Sequence, residues 1–211
     1  MKTARTQKET RISPYKGSIS EQIISGAIDV FAEVGYKKAT VSEITTRVNV
    51  GYGTFYQYFK NKEDLLSSLV DDLVNKVDDR VQKPKTKQSL YENMRNEAQK
   101  ILEYYIKNRS VLIALKEAMM INRKFEESWM KISESLFKRI ERDIKGAMEK
   151  GYCRKVNIDV TIRSITCMFE GYGHYLMMKY LIMKDQGQDD IHEVADSLTN
   201  LCYQALFKLQ T

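Results

Sequence analysis

The sequence predicts an all-α fold of about nine helices, with three short or medium helices leading a larger helical body. Three observations carry this. The 211 residues contain only two prolines, Pro14 and Pro84, so helices can run long without interruption. Long runs are rich in Glu, Lys, Leu, Ile, Ala and Met, mostly good helix formers. Few stretches alternate strictly between apolar and polar residues, so strands are scarce.

Residues 1–17 are polar, contain Pro14 and Gly17, and read as a flexible basic arm. Ser18 and Glu21 form a capping-box signature ahead of Ile24, Ala27, Ile28 and Phe31 at helical spacing, and Gly35 stands where a glycine ends a helix. Thr40 and Glu43 repeat the start signal for a two-turn helix with Val41, Ile44 and Val48 on one stripe. Asn49–Gly53 reads as a turn, with Gly51 and Gly53 as its permissive positions. Thr54–Phe59 is the next short helix. Asn61 caps a longer one, which carries Leu66, Leu69, Val70, Leu73, Val77 and Val81 toward Pro84. Beyond it, Ser89 and Glu92 open a fifth helix through Tyr105. Later apolar stripes define helices over Val111–Met119, Phe125–Ala147, Asp159–Lys184 and Ile191–Leu209.

The formal charge of +6 is unevenly placed. Residues 1–62 hold ten basic and five acidic side chains, while the remaining 149 hold 24 and 23. A basic N-terminal part on a nearly neutral body points to an anionic partner. Three widely spaced cysteines without a C-x-x-C pair predict free thiols in a reducing compartment. No secretory leader and no apolar run of about 18 residues is present, so a cytoplasmic location is expected. No nucleophile triad, paired carboxylates or phosphate-cradling glycine loop stands out, so no enzyme, cofactor or metal site is expected. Cys167 and His174 share a helix face, but they are two ligands without a third.

Two short helices joined by a tight turn, on a basic unit, meet the helix-turn-helix template. In "TFYQYF", Phe55 and Phe59 are four apart and both point inward. Thr54, Gln57 and Tyr58 then project elsewhere. Gln57 suits an adenine edge, Thr54 a base or a phosphate, and the tyrosine hydroxyls and lysines suit phosphate oxygens. Ala39–Leu66, "ATVSEITTRVNVGYGTFYQYFKNKEDLL", resembles the DNA-binding signature of the TetR family of bacterial transcriptional regulators. The preceding Phe31, Gly35 and Thr40 extend the likeness.

The resemblance implies roles. Thr40 and Val41 would start a helix abutting a phosphate, and Val50, Gly51, Tyr52 and Gly53 would approach DNA through the turn and backbone. Thr54, Gln57 and Tyr58 would face the major groove, Tyr56 would bond a phosphate, and Lys62 would contact phosphate beside a helix N-terminus. Tyr58 and Tyr52 depart from the family, which often has His at the first position and Ser or Lys at the second. The resemblance divides the chain into the arm, a DNA-binding domain over residues 18–64, and a ligand-binding and dimerisation domain over residues 65–211.

In that second part the resemblance implies a four-helix dimer interface from the last two helices, with Met168, Tyr175, Leu198, Cys202, Ala205 and Leu206 as candidates. It also implies a pocket for a lipophilic or aromatic effector among the middle helices, lined by Ile101, Tyr105, Met119, Trp129, Phe137, Phe169, Tyr172 and His174. The helix over Asp159–Lys184 is apolar on more than one side, which predicts deep burial. The expected function is a repressor that binds a pseudo-palindromic operator as a homodimer and is released by ligand. An activator, a ligand-independent DNA organiser and a thiol or metal sensor are the alternatives.

Overall fold

A computed structural model describes residues 17–82, 89–182 and 190–207. Nine helices follow one another among them: α1 (Ile19–Lys38), α2 (Val41–Arg47), α3 (Tyr52–Phe55), α4 (Lys62–Gln82), α5 (Leu90–Lys107), α6 (Arg109–Met119), α7 (Lys124–Glu149), α8 (Ile158–Ile182) and α9 (Ile191–Leu206). Among the described residues there is no strand, only one isolated antiparallel bridge between Cys153 and Phe207. No described helix is long and apolar enough to cross a membrane. The arm before residue 17, Pro84 and Leu209 lie outside the described residues.

The helix starts follow from side-chain chemistry. Ser18, Thr40 and Ser89 each accept the N–H of the residue three positions on. The glutamate there reaches back to the cap's own N–H at 2.7, 2.8 and 2.9 Å respectively. Two otherwise unpaired donors are satisfied in each box. Asn61 caps α4 by accepting the Asp64 N–H at 2.8 Å, and Asp190 caps α9 by accepting that of His192 at 2.9 Å. Gly35 breaks α1 at φ +79°, after which a last turn resumes to Lys38. A Cβ at Gly35 would also lie 2.9 Å from the Glu117 carboxylate, which accepts the Lys37 N–H at 3.0 Å. The glycine therefore serves the turn and the close approach of α6 together.

The core is continuous from the small N-terminal unit into the body. α1 packs on α6, α4 on α7, and α5 on both α8 and α9. Phe31, Tyr36 and Phe125 form an edge-to-face chain, with ring centroids 5.5 and 6.5 Å apart, which carries the core from α1 to α7. Within the body, Arg139 and Glu97 form a buried ion pair at 3.0 Å between α7 and α5, and Lys100 also reaches Glu97. α5 is tied to α9 by the Arg95–Asp196 ion pair and by the Tyr91 hydroxyl donating to Asn200 at 2.9 Å.

The expectation that α8 is buried on all sides fails in the single chain. Ile165, Phe169, Leu176 and Met177 are buried, but Val160 and Tyr175 are more than half exposed. The apolar residues on the outer side face a surface shared with α9 rather than the core.

Candidate nucleic-acid interface

The first three helices form a tight unit because α1 and α2 approach almost to backbone contact. Gly26 permits this, since a Cβ there would lie 2.2 Å from Cγ1 of Val48. A bidentate Arg47–Glu33 pair fastens the other side, and its hydrogen bonds hold the Glu33 carboxyl below the usual range. Thr45 is buried and turns its hydroxyl onto the Val41 carbonyl at 3.0 Å.

The turn differs from the expectation. Its left-handed residue is Asn49, at φ +57°, and neither Gly51 nor Gly53 has positive φ. Asparagine tolerates that conformation better than other side chains. α3 begins at Tyr52 with Gly51 as a cap that offers no side chain, two residues before the predicted start. It lasts one turn and then continues as tighter turns through Tyr58. The glycines answer a different need. A Cβ at Gly53 would meet nothing within 4 Å, so no packing inside the chain calls for glycine there.

Phe55 and Phe59 are buried, with ring centroids 5.7 Å apart, and fix α3 against the core. Tyr52, Tyr56, Gln57 and Tyr58 are exposed and Thr54 is half-buried. The Tyr52 and Tyr56 hydroxyls share a hydrogen bond at 3.0 Å, and that bond, more than burial, raises the Tyr56 pKa. Thr40 is exposed and spends its hydroxyl on the Glu43 carboxylate, while Val41 is half-buried.

Lys62 is engaged within the chain. Its ammonium turns inward and donates to the carbonyls of Tyr36 at 2.6 Å and Ala39 at 2.8 Å, with Lys37 at 3.4 Å. It also lies 4.4 Å from the Tyr36 ring centre. Those carbonyls are the unpaired end of α1, which favours a cation. Burial lowers the Lys62 pKa, against the pull of Glu117, Glu43 and Glu63. The N-terminus of α4 is likewise filled from within, because the Asp64 carboxylate accepts the Lys60 N–H at 2.9 Å. An anion there would face that carboxylate.

The remaining predicted residues divide among several environments. Ile101, Tyr105, Phe137 and Phe169 are buried, Met119, Trp129 and Tyr172 are half-buried, and His174 is exposed. His174 follows Gly173 on α8, and Gly173 is the position that faces Tyr105, so the next side chain turns outward. Desolvation by the groups packed at its base, and then the charge of Lys116, lower the His174 pKa. Met168, Cys202, Ala205 and Leu206 line an apolar groove of about 310 Å³ between α8 and α9, together with Val160, Ile165 and Leu201. Burial pushes the Cys202 thiol up to about 11. Tyr175 and Leu198 lie outside this groove.

A short buried-on-one-side helix, held by a tight turn on a basic unit and showing tyrosines and an amide to solvent, defines a helix-turn-helix protein. This unit matches the N-terminal model of the TetR family of bacterial regulatory proteins over residues 23–69. The fatty acid metabolism regulator protein of Bacillus subtilis is 44% identical over 61 residues, which is 29% of this chain and 31% of that protein. The match therefore spans about a third of that relative.

Solved structures extend the likeness of fold. The Bacillus subtilis regulator FadR, in complex with stearoyl-CoA, matches at a TM-score of 0.64 and 22% identity, over 88% of this chain and 98% of its own. The ketosteroid transcriptional regulator KstR2 of Mycobacterium tuberculosis matches at 0.70 and 15%, over 94% and 100%.

Proposed function

We propose that the protein is a sequence-specific DNA-binding transcriptional regulator, a repressor that grips a pseudo-palindromic operator as a homodimer and lets go when a lipophilic or aromatic effector binds its body. The observation that carries this reading is the outward face of α3 and the turns after it. Tyr52, Tyr56, Gln57 and Tyr58 show their side chains to solvent, and Gly53 leaves open surface where a neighbouring backbone or groove wall fits. Gln57 and Thr54 would read base edges, the tyrosine hydroxyls would bond phosphates, and Gly51 and Gly53 would admit close approach. Lys62 has another part in this reading. It locks α4 to the end of α1, so the reading unit and α4 move together.

The same locking supports a route for release. Glu63, in the first turn of α4, lies 3.4 Å from the Asn122 amide and 3.7 Å from the Lys124 ammonium at the α6–α7 turn. Glu117 of α6 holds the end of α1. A shift of α6 would therefore move α1 and α4 at once, changing the spacing of two reading units across a dimer. The effector needs only to prefer the shifted conformer. Apolar residues of the α8–α9 groove would form the dimer seam.

Fluorescence anisotropy with the DNA upstream of the protein's own gene tests the reading. Binding is expected to weaken steeply with salt. Gln57→Ala is expected to cost about 1–3 kcal/mol and to relax base preference. Salt-insensitive or absent binding, or an unchanged Gln57→Ala variant, would overturn it.

A further inference from the structure

Four helices bring a polar cluster together inside the body. Tyr105 of α5 is buried, and its hydroxyl has no hydrogen-bond partner among the described residues. The ring packs closely on Gly173 of α8, where a Cβ would stand 2.5 Å from it. Lys116 of α6 is half-buried. Its ammonium sits 4.3 Å from the ring centre of Trp129 on α7 and makes no ion pair with a carboxylate among the described residues. Glu170 of α8 accepts the Ser133 hydroxyl at 2.6 Å on one carboxylate oxygen. Both Tyr105 and Lys116 lie close enough to Glu170 to feel its charge.

The cluster is short of acceptors. A buried phenol and an ammonium offer four N–H or O–H donors, and the one carboxylate between them is already partly used. An unpaired buried donor is costly, and a group that supplies the missing acceptor recovers that cost. Chemistry narrows the group further. A cation would be repelled by Lys116 and would bring Tyr105 no acceptor. A phosphate would place two further negative charges beside Glu170. A single carboxylate suits both donors and keeps the local charge low. Phe137, one turn after Ser133 on α7, and Phe169, next to Glu170 on α8, have ring centroids 5.9 Å apart and offer apolar surface for the rest of such a molecule.

We infer that Tyr105 and Lys116 bind the carboxylate of a monoanionic amphiphile, with Glu170 excluding more highly charged heads and Trp129 lying under the ammonium that the ligand engages. This deepens the effector reading above and rests on it.

Trp129 is the chain's single tryptophan, so its fluorescence reports the site directly. The full-length protein is titrated with dodecanoate, dodecan-1-ol and dodecyltrimethylammonium, below their micellar concentrations, by calorimetry and by Trp129 emission. Dodecanoate is expected to bind saturably, at least tenfold more tightly than either comparator, and to change Trp129 emission. Tyr105→Phe and Lys116→Met are each expected to weaken dodecanoate at least fivefold and to leave dodecan-1-ol unchanged. Tyr105→Phe also keeps the fold intact, and its ligand-free melting temperature should rise because an unpaired hydroxyl is removed. Equal binding of all three probes, or full dodecanoate affinity in both variants, overturns the carboxylate assignment and leaves an apolar effector site standing. Failure of every probe to bind overturns the effector reading with it.

Discussion

At the residue scale, two residues, Lys62 and Gly26, decide how the N-terminal unit holds together, and neither role is visible in the residue type alone. Lys62 looks like a surface cation in the sequence. Its four-carbon stem instead reaches back across the junction to carbonyls more than twenty residues earlier. Lys62→Met keeps the stem and leaves those carbonyls unpaired. A loss of about 1–3 kcal/mol in chemical denaturation is expected, whereas exposed Lys60→Ala should stay within about 0.5 kcal/mol of the parent. Gly26 is the second case. Gly26→Ala gains about 1 kcal/mol of helix propensity but drives a Cβ into Val48, and overpacking costs about 1–3 kcal/mol. Net destabilisation is expected, and adding Val48→Ala should relieve part of it. The coupling is read from a double-mutant cycle.

At the element scale, helix starts are legible wherever a side chain makes the cap. The Ser18, Thr40 and Ser89 boxes are written as a hydroxyl followed three residues later by glutamate, and all three form. α3 shows the converse. Its cap is Gly51, which has no side chain to announce it, so the sequence places the start two residues late. The turn before it is misread for a related reason. Glycine signals permissive backbone, but Asn49 takes the left-handed position. Replacing Ser18 or Ser89 by Ala should cost about 1 kcal/mol each in thermal melts. Glu21 and Glu92 have pKa values lowered chiefly by the cap N–H bonds. Their contribution is therefore complete above the ordinary carboxylate pKa and is lost as pH falls through the lowered value. Melting of Glu21→Gln and Glu92→Gln variants should converge on the parent's in acid, and a gap unchanged down to pH 2 would contradict the assignment.

At the scale of the whole molecule, the all-helical architecture follows from apolar periodicity, which needs only local sequence. What that periodicity does not encode is which apolar face meets the core and which meets a partner. α8 carries apolar residues around most of its circumference, and in the single chain Tyr175 and, in the α8–α9 groove, Val160 and Leu201 remain exposed. If this seam joins two copies, Leu201→Asp should shift sedimentation equilibrium from dimer to monomer and lower operator affinity more than tenfold. Circular dichroism should remain that of the parent. The links between the unit and the body, through Glu117, Glu63 and Lys124, were equally hidden, because they pair residues about 60 to 80 positions apart.

The exposed ring of Tyr52, Tyr56, Gln57 and Tyr58 has a consequence for how such a protein changes over time. The scaffold beneath it is secured by Phe55, Phe59, Gly26 and Lys62, all turned away from solvent. If the outer set reads DNA as proposed, stability and target choice are written in separate sets of residues. Mutations that redirect such a protein to a new operator would then accumulate on the outer set with little penalty to folding, and a duplicated copy would acquire a new regulon in a few substitutions.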